Sequence, residues 1–182
     1  MIKWLVPVLL FVAFVFVTTV VLGMKKRWLS YIVVGALFGI FDFYLLEIIP
    51  QFSLHSFLWD NIVGLALTFG IWLVPSVPVV VHEAKVSRSS MLSALANSLT
   101  WWISVIVYYV TNVIQLAIGS SYQPWMSFSH YHSPGFWSGW SSLLENYILG
   151  HILEWSVVAI FGGFIIGLVF SLIYFLIRRI QK

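Results

Sequence analysis

Basic residues in this chain, Lys3 apart, are confined to short clusters that separate long apolar runs. Lys25, Lys26 and Arg27 form the first, Lys85 and Arg88 the second, and Arg178, Arg179 and Lys182 the third. A helix crossing a hydrocarbon core of ~30 Å needs about 20 apolar residues, which each run between clusters can supply. Basic residues stay on the cytoplasmic side during membrane insertion. The spacing therefore predicts the number of spans and their orientation together.

Composition points to the same class. Charged residues make up 8% of the chain and hydrophobic residues 61%, where soluble domains carry about 25% charged residues. With 182 residues, the chain has room for one transmembrane domain and no separate soluble module. The net charge of +3 does not argue for nucleic acid, because the bases sit at helix ends beside lipid headgroups. With no cysteine, disulfides, thiolate metal sites and thiol catalysis are removed.

The expected fold is an all-α polytopic bundle of five transmembrane helices. The spans are drawn at about 4–22, 29–49, 59–81, 95–118 and 147–177, with an outer loop over 119–146. Placing the clusters inside puts the N-terminus outside and the C-terminus in the cytoplasm, in the cell membrane. Residues 1–23 resemble a signal peptide in having a basic start and an apolar core. The length of that core and the following Lys25-Lys26-Arg27 flank favour a retained helix. The outer loop is rich in Trp, Tyr, Ser, Pro and Gly, so it is expected to form an ordered hairpin or short helix in the interface. The connection from His82 to Ala94 is read as a short basic inner loop, with His82 and Glu83 a helix-end pair beside headgroups.

Helix periodicity selects the interior faces. Asn97, Thr100, Ser104, Tyr108, Thr111 and Gln115 recur every three or four residues, which places them on one helix face. Polar groups facing lipid are unfavourable, so that face should point inward, as hydrogen-bonded packing or as the wall of a solute-binding cavity. Gly35 with Gly39, and Gly163 with Gly167, form two GxxxG patterns suited to close helix packing or dimerisation. Pro75 and Pro78 predict a bend or end in the third span. Asp42 lies thirteen residues beyond Leu29, or roughly 20 Å along a helix. A carboxylate at that depth marks a site by default.

The remaining ionisable groups divide by side. The outer half holds Asp42, Glu47, Asp60, Glu145 and Glu154 against Lys3, with His55, His130, His132 and His151. On the inner side Glu83 is the single acid among eight bases. An outer mouth rich in acids and histidines would attract cations and suits copper or zinc. His130 and His132, if extended, would project to one side, and His151 with Glu154 would share a helix face. Haem is disfavoured, because only His151 lies deep enough to ligate it. No catalytic motif is present.

Three functions follow. The first is a non-catalytic membrane subunit or interaction protein, with a membrane-protein partner or a second copy of itself. The second is a small-solute or cation transporter or channel using Asp42 and the polar face of the fourth span. The third is a metal-dependent membrane enzyme or metal-handling protein using His130, His132, His151 and Glu154 with Asp42 or Glu145.

Overall fold

The computed structural model describes residues 5–48, 70–119 and 124–181. Of these residues 89% are helical, with no strand among them. The long helices are α1 (Leu5–Leu22), α2 (Arg27–Ile48), α3 (Leu73–Ser87) and α4 (Ser90–Ile118). Two 3-10 turns, Pro124–Met126 and Phe128–His130, lead into α5 (Phe136–Ser142), a π-helical stretch (Leu143–Leu149) and α6 (Gly150–Ile180). Among the described residues, three helical stretches are long and apolar enough to cross a membrane: Arg27–Leu45, Ser90–Ile118 and Phe136–Ile180.

Helix α4 is the centre of the bundle, packing most heavily on α6 and α2 and less on α3. Glycines set both main interfaces. A Cβ added at Gly35 would lie 2.5 Å from the Thr100 carbonyl oxygen, and one at Gly39 would overlap the Ser104 carbonyl oxygen. On another side of α4, a Cβ at Gly163 would come within 3.0 Å of Ser98 Cα, and at Gly167 within 2.8 Å of Ala94 Cα. Each GxxxG therefore meets the backbone of α4 inside the chain. Ascending numbers pair on α2 and α4, so these run parallel, whereas α6 runs antiparallel to α4. The three basic clusters consequently gather at one end of the bundle, called here the basic end.

Several boundaries differ from the expected ones. The fourth helix starts at Ser90 rather than Leu95, and the third continues to Ser87 rather than Val81. The expected inner loop from His82 to Ala94 is thus almost entirely helical. The reason is local: Ser89 caps α4 by accepting from the Leu92 N–H at 3.3 Å, and Arg88 closes α3 with φ 55°. Pro78 is accommodated inside α3, which does not end there. The expected outer loop is helical from Phe136 onward, so a 45-residue helical stretch replaces a span beginning at Tyr147. At 1.5 Å per residue it is about 68 Å long, over twice the hydrocarbon thickness. The expected loop after the second span, with His55, and the first part of the expected third span, with Asp60, lie outside the described residues, as does the side chain of Glu47.

Candidate functional site

An aromatic layer crosses the middle of the bundle. Trp72 packs edge-on against Phe38 at 5.9 Å and against Trp101 at 5.0 Å between ring centroids. Trp101 Nε1–H donates to Ser76 Oγ at 2.8 Å, and that hydroxyl donates to the Trp72 carbonyl at 2.8 Å. Polar residues lie on both sides of this layer.

Toward the basic end, four side chains from α2 and α3 form one network. Glu83 is completely buried. Its Oε2 accepts from the Tyr31 hydroxyl at 2.6 Å, and Tyr31 Oη also lies 2.9 Å from His82 Nδ1. Arg27 Nη1 stands 3.2 Å from Glu83 Oε1. That oxygen has no hydrogen bond of good angle, so Arg27 neutralises it by proximity. Burial pushes His82 below the ordinary histidine range. Lys85 and Arg27 act in the same direction, and Glu83 opposes them. The expected helix-end pair beside headgroups is therefore corrected: Glu83 faces the interior because Arg27 and Tyr31, one turn apart on α2, supply its charge partner and its donor. Its sequence signal was its isolation as the one acid among the bases.

Away from the basic end, Asp42 lies one turn beyond Phe38. It is 4% exposed, and its Oδ1 has no hydrogen-bond partner among the described residues. Asp42 shares the Gly35 and Gly39 face of α2, so it looks toward the half of the α4 stripe away from the basic end. Along that stripe, Asn97, Thr100 and Ser104 are buried and Tyr108, Thr111 and Gln115 half-buried. Asn97 Nδ2 donates to the Gly163 carbonyl at 2.7 Å. Thr100 Oγ1 donates to the Ala96 carbonyl at 2.9 Å and reaches the Tyr31 carbonyl at 3.4 Å. Ser104 and Thr111 donate to carbonyls of their own helix. Gln115 Nε2 donates to Tyr44 Oη at 2.6 Å, and the Tyr108 ring packs on Phe43. Ser98, outside the stripe, adds a bond to the Ile160 carbonyl at 2.9 Å that the periodicity did not single out.

The histidines of the opposite end stand apart from one another. His130 closes a 3-10 turn capped by Ser127, and its Nδ1 contacts Ser129 Oγ at 3.1 Å. The turn rules out the extended geometry expected for His130 and His132, and His132 packs on Tyr131. His151 Nδ1–H donates to the Tyr147 carbonyl at 2.7 Å, and its ring sits against Tyr147 and Tyr109. Glu154 is exposed. Among the described residues no three His, Asp or Glu side chains converge on a point that could hold a metal ion. No known protein family, curated protein or solved structure matches this chain.

Proposed function

We propose that this chain is a non-catalytic integral component of a larger assembly in the cell membrane. It has five spans, an outer N-terminus and the basic end in the cytoplasm. The observation that carries this reading is how α4 uses its polar groups. Asn97, Ser98 and Trp101 bond to α6 and α3, while Thr100 reaches α2. Inter-helix bonds of this kind average ~0.6 kcal/mol each in membranes and act chiefly to fix helix packing. The stripe then belongs to assembly rather than to chemistry. Native mass spectrometry after gentle extraction tests the reading. A second co-purifying polypeptide is expected; a bare monomer at 20.8 kDa, or a homo-oligomer alone, would overturn it.

A second reading, transport of a small solute or cation, is favoured by one observation. A carboxylate as buried as Asp42 is costly without a donor, and Oδ1 has none among the described residues. Asp42→Asn in reconstituted vesicles separates the two readings. Loss of ion or solute flux with intact assembly supports transport, while unchanged flux removes Asp42 from function.

A further inference from the structure

We infer that the basic end is a docking surface for anionic phospholipid, whose phosphates supply the counter-charge that the fold itself leaves out. The inference rests on neither functional reading above and holds for either orientation in the membrane.

Three segments far apart in the chain place their bases here. The α1–α2 turn brings Lys25 and Lys26, the end of α3 and its turn into α4 bring Lys85 and Arg88, and the end of α6 brings Arg178 and Arg179. All six are exposed. The first two segments are tied directly, by Arg27 on Glu83 at 3.2 Å. Helix α6, packed on both α4 and α3, carries the third to the same end.

Like charges gathered in this way repel one another, and the protein offers them no acid of its own. Glu83, the one acid among the described residues of this end, is sealed from solvent and engaged by Arg27 and the Tyr31 hydroxyl. Arg178 leans over the Tyr174 ring at 5.6 Å, a contact without formal negative charge. The end therefore presents an unbalanced positive field that attracts an external anion.

Exposed apolar side chains decide which kind of anion fits. Met24 and Trp28 flank the first cluster, Val86 and Met91 the second, and Ile177 and Ile180 the third. A soluble polyanion would meet the bases and leave these six in water. A phospholipid meets both sets: its phosphate reaches the ammonium and guanidinium groups while glycerol and acyl chains cover the apolar ones. Long basic side chains suit this arrangement, because their stems lie along apolar surface with the charge at the headgroups. Trp28 suits it too, with an apolar ring body and one N–H to donate.

The full chain in nanodiscs of phosphatidylcholine, with and without phosphatidylglycerol, tests the inference. Phosphatidylglycerol should raise the thermal unfolding midpoint, and native mass spectra should retain it in preference to phosphatidylcholine. Inorganic phosphate at matched ionic strength should not raise the midpoint. Three paired variants locate the surface: Lys25→Gln with Lys26→Gln, Lys85→Gln with Arg88→Gln, and Arg178→Gln with Arg179→Gln. Each should lower the lipid preference by up to roughly thirtyfold, at ~1 kcal/mol for each base. In phosphatidylcholine alone the same variants should unfold no earlier than the parent, because repulsion is relieved and no buried contact is lost. Equal midpoints in the two bilayers, or a preference unchanged in all three variants, would overturn the proposal. Equal stabilisation by inorganic phosphate, or an acidic polypeptide bound through these bases in place of lipid, would overturn the lipid as the occupant.

Discussion

Individual residues separate two kinds of constraint in this bundle, contact distance and charge. Gly39 is a distance constraint. A methyl group there would meet the Ser104 carbonyl and lie 3.0 Å from the Tyr108 nitrogen, and neither backbone atom can swing aside. Gly39→Ala should therefore destabilise the bundle by about 1–3 kcal/mol, as overpacking in well-filled interiors does. Gly150→Ala is the matched control, because nothing lies within 4 Å of its added Cβ. Thermal unfolding of both variants in one detergent checks the contrast. His82 is a charge constraint. Burial favours its neutral form, so its ordinary value in the unfolded chain exceeds its value in the fold. The stabilisation is complete above about pH 6.5 and is lost as the pH falls from there through the lower value that His82 has in the fold. Unfolding midpoints measured from pH 8 to pH 5 should decline, and His82→Gln should flatten the decline.

Among the elements, α4 decides the architecture, because both glycine seams close on it. Asn97 joins α4 to α6 by donating to the Gly163 carbonyl, within the glycine seam of the two helices. Gly167→Leu would drive a branched side chain into Ala94 and Asn97, and should part α6 from α4 along the basic half. The expected readout is faster hydrogen exchange in Ser90–Ile118, with α2 keeping its protection. Asn97→Ala is milder: one inter-helix bond is lost, with an expected cost of about 0.6–1.7 kcal/mol. Equal exchange in both variants would show that the seam is held by something other than close approach. The π-helical stretch Leu143–Leu149 joins α5 to α6 without a break. It explains why the sequence suggested a loop there: Ser, Gly and Trp dominate 136–142, and helix formation rests on packing of Phe136 and Trp140 against Leu116.

At the scale of the whole molecule, the common basic end is the feature on which topology depends. Single cysteines at Lys26 and Ser133 stand at opposite ends in the five-span reading. An impermeant maleimide added to intact cells should label the Ser133 position and spare Lys26 until the membrane is opened. Labelling of both from the same side would overturn the proposed topology.

Much of this was legible in the chain itself. Apolar length and charge clustering imply helices, because a bilayer leaves backbone polar groups no partner but one another. Helical periodicity placed Asn97, Thr100 and Ser104 on one interior face, and GxxxG spacing marked where backbones approach. Periodicity names a face, however, and leaves its neighbour open. That Gly35 meets Thr100, and Gly167 meets Ala94, depends on how four helices pack at once. The network of Arg27, Tyr31, His82 and Glu83 was hidden for the same physical reason. Its partners lie 51 or more residues apart along the chain, and only the tertiary fold, by burying Glu83, required that a cation and a hydroxyl be brought to it.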